Sequence, residues 1–157
     1  MVRPVFAIAT TALCLALSSH AQTAAEAAQP TYDAELARSL GADEYGMKSY
    51  VFVLLKTGPN KVPAGPERDE MFKGHFANMK RLGVEGKLAL AGPFDGVDGW
   101  RGLFVLAVSD IEEAKKLVAT DPVIVKGEMV AEYHKYHGSA ALMLVNAAHA
   151  KIAKKRF

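Results

Sequence analysis

The sequence predicts an α+β fold, one four-stranded antiparallel sheet backed by helices, and three observations carry that expectation. Short β-branched and aliphatic runs recur between turn residues. One long segment repeats apolar residues at three- and four-residue spacing, and a helix-start signature follows the third apolar run. In chain order these give β-α-β-β-α-β, the order of a ferredoxin-like fold, with a further helix at the C-terminus.

Tyr50-Val51-Phe52-Val53-Leu54-Leu55 lies between Lys48 and the turn residues Thr57-Gly58-Pro59-Asn60, so it reads as the first strand. Residues 64–85 read as a helix because Met71, Phe72, His75, Phe76, Met79 and Leu82 form the stripe of a helix packed on a core. Residues 88–91 and 102–108 read as two more strands, joined by the turn-rich segment 92–99. Ser109 and Glu112 have capping-box spacing, in which hydroxyl and carboxylate each satisfy a free backbone amide, so a second helix is expected to run to about Ala119. Residues 128–136 supply the fourth strand. Residues 140–155 form a closing helix with Leu142, Val145, His149 and Ile152 along one side.

The domain organisation starts with residues 1–21, where Arg3 precedes an uncharged run from Pro4 to Leu17 and then Ser19-His20-Ala21, a small-x-small cleavage pattern. This is the pattern of a signal peptide, and it implies a periplasmic or secreted protein. The run is shorter than the about 20 apolar residues of a membrane span, so no membrane association is expected after cleavage. Cys14 is the single cysteine, inside that leader, which excludes thiolate chemistry and disulfides from the mature chain. Residues 22–47 read as a flexible tether with one short helix around Ala34 to Leu40, and residues 48–157 as a single domain.

Loss of Arg3 lowers the formal net charge from +2 to +1. Basic residues are interspersed with acidic ones until Lys154-Lys155-Arg156, so a nucleic-acid groove is not expected. The first and third strands are apolar at odd and even positions alike, which asks for burial on both faces of the sheet. Two helices cover one face, and the simplest cover for the other is a second copy of the chain, a homodimer.

The segments Phe52-Val53-Leu54-Leu55-Lys56, Gly74-His75, Arg81-Leu82, Gly86-Lys87-Leu88, Ala91-Gly92-Pro93-Phe94, Ser109 with Glu113-Ala114, and Asp121-Pro122 together resemble the YciI-like (YCII-related) family. The resemblance implies a dimeric α/β barrel, in which two such sheets close around a cavity, and a site built on a His/Asp pair. A relative in that family is a dechlorinating hydrolase acting on a hydroxyquinol, and muconolactone isomerase is similar in fold.

His75 lies four residues after Met71 and four before Met79, on the buried stripe of its helix. An imidazole there is either a core histidine satisfied by hydrogen bonds or a general acid or base, a task its unperturbed pKa of about 6.5 suits. Asp121 precedes Pro122, the arrangement of an N-cap with proline at the first helical position. The family resemblance implies instead, or in addition, that its carboxylate pairs with His75 and fixes the ring tautomer.

Gly92, Pro93 and Phe94 end a strand at the rim of the expected cavity, with Trp100 and Arg101 on the adjoining loop. As substrate-binding residues, Arg101 would hold a carboxylate or phenolate and Trp100 would stack on an aromatic ring; the alternative is an ordinary solvated hairpin. No metal is expected, because His134 and His137 are three apart on a strand and point to opposite faces. No cofactor motif occurs. The expected function is acid–base chemistry by His75 and Asp121, proton transfer or water activation, on a small organic substrate, aromatic or lactone. The alternative is a non-catalytic ligand-binding or interaction module of the same fold.

Overall fold

The computed structural model describes residues 31–155. The proposed signal peptide, with Cys14, lies outside the described residues, as do residues 22–30 of the tether and the terminal Arg156 and Phe157.

The compact unit begins at Asp33. Its elements are α1 (Ala34–Leu40), β1 (Met47–Thr57), α2 (Pro66–Val84), β2 (Leu88–Pro93), β3 (Trp100–Leu106), α3 (Ile111–Val118), α4 (Pro122–Val125), β4 (Met129–Ser139) and α5 (Val145–Ile152), with 3₁₀ turns at Val97–Gly99 and Ala140–Leu144. The strands form one antiparallel sheet in the order β2-β3-β1-β4. That is the ferredoxin-like arrangement the pattern of runs predicted.

Several boundaries move for reasons that lie outside local sequence. β1 extends beyond its apolar run because Met47, Lys48, Ser49, Lys56 and Thr57 pair with β4 along an unbroken register. Backbone pairing ignores side-chain polarity, so the apolar pattern understates the strand. Trp100 and Arg101 belong to β3 and not to the loop: Trp100 pairs with Lys56, and Arg101 O accepts from Phe94 N at 3.0 Å. α3 is capped by Asp110, whose carboxylate accepts from Glu112 N at 3.2 Å, and not by Ser109. The cap is shifted by one, and Ile111 and Ala114 pack against the core. The closing helix is broken at its start into the 3₁₀ turn Ala140–Leu144, which Ser139 caps through Ala141 N.

The core lies between the sheet and the helices. Val51, Val53 and Leu55 of β1 and Phe104 and Leu106 of β3 project to that side, where Met71 and Leu82 of α2, Ala114 and Val118 of α3, and Val123 of α4 meet them. On the opposite face Tyr50, Ala89 and Val105 are buried, packed by Phe52, Leu90 and Leu103 together with Leu142 and Met143 of the 3₁₀ turn. The chain therefore covers part of that second face itself. Asn146 Nδ2 donates to Leu88 O at 2.6 Å and Tyr50 Oη to Ser139 O at 3.0 Å, tying the C-terminal segment down. Toward β4 the same face carries Glu132, His134 and Tyr136, all exposed.

Candidate functional site

α2 starts with Pro66, whose missing amide costs nothing in the first turn. Its buried residues are Met71, His75, Asn78 and Leu82, at spacings of four, three and four. Two of those four are polar, and a partner for each must come from another element. α4 supplies it. Asp121 caps that short helix, accepting from Val123 N at 3.1 Å, and Pro122 follows at the first helical position.

The two helices approach closely because Gly74 has no side chain. A Cβ there would stand 2.8 Å from Pro122 Cγ and 3.6 Å from its Cβ. The pyrrolidine ring is rigid, so α2 and α4 would have to separate. Gly74→Ala is expected to destabilise the protein by about 1–3 kcal/mol, as overpacking does, despite the up to about 1 kcal/mol that alanine gains over glycine within a helix. Urea denaturation measures it; a stabilised variant would show that the glycine is not there for the approach.

Across that contact His75 Nδ1 lies 2.9 and 2.8 Å from the two carboxylate oxygens of Asp121. Asn78 Nδ2 donates to the same carboxylate at 3.2 Å. Asp121 is fully buried, and it accepts from an imidazole, a side-chain amide and a backbone amide, three donors that suit an ionised carboxylate. Nδ1 therefore carries the proton, and in the neutral ring Nε2 presents its lone pair. Asn78 is oriented in turn: its Oδ1 accepts from Arg81 Nη2 at 2.8 Å and from Thr120 Oγ1 at 3.1 Å.

The ring of His75 is stacked on Phe104 at 5.9 Å and flanked by Phe72 and Phe76 at 6.1 and 5.5 Å. Nε2 makes no hydrogen bond among the described residues, where no fully buried side-chain nitrogen or oxygen lacks a partner. It therefore reaches the surface, although the residue is only 8% exposed. Phe76, beside the ring, and Ala91, which pairs with Phe104, border a largely apolar cavity of about 390 Å³ that Met79, Leu88 and Leu90 also line, together with Lys80, His149 and Lys155. The arrangement can move a proton at Nε2 while Asp121 balances the charge on the ring.

Both readings of Asp121 hold at once, since one oxygen caps α4 while both face His75. The loop residues are placed elsewhere. Phe94 and Trp100 pack ring on ring at 5.5 Å, and Arg101 Nη1 lies 3.6 Å from Glu128 Oε1. No hydrogen bond, ion pair or ring contact joins Gly92, Pro93, Phe94, Trp100 or Arg101 to His75 or Asp121. Asn78 is the functional residue that the sequence reading lacks, although its signal is local: it is polar and lies three residues after His75 on the buried side of α2. Among the described residues no group of three His, Cys, Asp or Glu side chains is gathered as a metal site. His137 does lie between Asp43, 3.2 Å from Nε2, and Ser49, 3.5 Å from Nδ1, but all three are exposed to water.

Glu128 is a second buried acid, 2% exposed. Burial pushes its carboxyl up, but the Val62 amide at 2.7 Å and the guanidinium groups of Arg68 and Arg101 outweigh that and hold it below its ordinary value of 4.5. A carboxyl whose folded value is depressed contributes stability in full above the unfolded value, and loses it as the pH falls through the folded one. Stability should therefore decline below about pH 4.5, and Glu128→Gln should reduce stability at neutral pH and make that decline shallower. Denaturation midpoints between pH 3 and 7 test it; parallel curves for the two proteins would show that Glu128 adds nothing.

A ferredoxin-like domain with a buried His–Asp pair between two helices under its sheet is thus the class of molecule. The YCII-related domain family matches residues 49–134, and the chain belongs to that family. No curated protein matches it.

Proposed function

We propose that this is a secreted or periplasmic small-molecule enzyme in which His75 and Asp121 carry out proton transfer or water activation on a small organic substrate, aromatic or lactone. The observation that carries the reading is the ring of His75, with Nδ1 held at 2.8 Å by a buried carboxylate and Nε2 left without a hydrogen-bond partner at the surface. Nε2 takes a proton from water or from an acidic substrate carbon, Asp121 stabilises the imidazolium, and the proton returns to the product. The largely apolar cavity beside Phe76 suits an organic ring.

A second reading is a non-catalytic ligand-binding module. The observation in its favour is how little of His75 is exposed. The deciding experiment is a turnover assay on hydroxyquinols, lactones and small esters, with saturation binding of the same compounds measured alongside. Turnover of any class supports the enzyme; saturable binding with no turnover supports the module.

A homodimer through the second face of the sheet belongs to the same proposal. Phe52, Leu90 and Leu103 support it, since they remain partly open beside Leu142 and Met143. Sedimentation equilibrium tests it, and a monomer at micromolar concentration would rule it out.

A further inference from the structure

At the far end of the sheet from the apolar cavity, a second cavity of about 360 Å³ is lined by Thr57, Gly58, Lys61, Arg68, Arg101 and Glu128. We infer that it binds the carboxylate group of a small organic acid through Arg68 and Arg101, with Glu128 as the residue that positions both guanidinium groups.

Arg68 is largely buried on one side and aimed by three contacts. Its Nη1 donates to Glu128 Oε1 and to Val62 O, each at 2.8 Å, and its guanidinium carbon lies 4.9 Å over the ring of Phe72. All of those hydrogen bonds use one nitrogen. Nε and Nη2 make none among the described residues, and no fully buried side-chain nitrogen there lacks a partner, so these donors are open to solvent on a residue that lines the cavity. Arg101 approaches Glu128 at 3.6 Å, an ion pair without a hydrogen bond, and its donors are likewise unspent.

A purely structural clamp would explain only part of this. One carboxylate, Glu128, fastens the start of β4 to the 58–62 loop and to α2, and a single arginine would neutralise it. The second guanidinium leaves the partly buried groups with one positive charge in excess and with paired N–H donors, the geometry that matches a carboxylate. Lys61, exposed in the cavity lining, makes no ion pair or hydrogen bond among the described residues and adds a field that draws anions in.

The pocket floor is tightly built. Gly58 N donates to Glu128 O at 2.9 Å, and a Cβ on Gly58 would collide with Gly127 O, so the backbone there is fixed. Arg68 precedes His75 by seven positions, about 10 Å along the helix, and Phe72 touches both. A carboxylate held here would be on the same face of α2 as His75.

The test follows the side-chain Nε–H resonances of arginine in ¹⁵N-labelled protein during titration, at constant ionic strength, with benzoate, its uncharged analogue benzamide, and inorganic phosphate. Benzoate should shift the Arg68 and Arg101 signals saturably, benzamide should not, and phosphate should bind more weakly than benzoate. Arg101→Gln should weaken benzoate at least tenfold, and Arg68→Lys, which keeps the charge but loses the paired donors, should weaken it as well. The backbone spectrum verifies folding of each variant. No saturable shift with benzoate, equal shifts with benzamide, or affinity unchanged by Arg101→Gln would overturn the inference; tighter binding of phosphate would overturn the carboxylate assignment. None of these results depends on catalysis by His75.

Discussion

His75→Gln is expected to lower turnover by about 10²–10⁴-fold, the usual share of a positioned acid or base, with the protein still folded. Glutamine retains an N–H that can reach the Asp121 carboxylate, so the buried anion keeps a donor from this position. It cannot accept and release a proton, so only the chemistry is lost. His75→Ala is the less informative variant: it leaves a fully buried carboxylate short of one donor, and part of any lost activity would come from lost stability. Steady-state kinetics with a substrate found in the turnover assay, beside a thermal melt, separates the two. A folded His75→Gln protein with wild-type kcat would remove His75 from the reaction.

Asp121→Ala should cost about 2–4 kcal/mol of stability, the sum of a lost N-cap, about 1 kcal/mol, and of buried donors left unsatisfied, about 1–3 kcal/mol. Three groups lose their acceptor together: Val123 N, Asn78 Nδ2 and His75 Nδ1. The cap holds α4, α4 packs against Gly74, and Val123 is wholly buried, so the damage reaches the core. Asp121→Asn separates the structural role from the chemical one. Its oxygen can still cap Val123, but its amide offers a proton to Nδ1 and drives the ring toward the tautomer with Nε2 protonated. Much of the stability should return while turnover stays low. Chemical denaturation with linear extrapolation gives the first number; an Asp121→Ala protein as stable as wild type would mean that the buried network stabilises nothing.

The elements were legible in the sequence because their signals are local. Met71, His75 and Leu82 recurring along α2, and the β-branched and aliphatic run of β1, report which side chains leave water. The errors are local too. Ser109 reads as the cap because it stands at capping-box spacing from Glu112, but Asp110 stands at the same spacing from Glu113, and the cap at Asp110 is the one that goes with the packing of Ile111 on the core. Trp100 and Arg101 read as loop because strand membership there depends on partners in β1 and β2.

By itself the sequence determined the order of strands and helices, the burial of His75, the cap at Asp121 and membership of the family. The tertiary structure alone decided that His75 meets Asp121 across 46 residues, that Asn78 joins them, and that Arg68 and Arg101 converge on Glu128. The reason is physical. A residue's local preference is set by its nearest neighbours along the chain, whereas these contacts exist only after the β1–β3–β4 pairings close long loops and a glycine at position 74 lets α2 settle against Pro122.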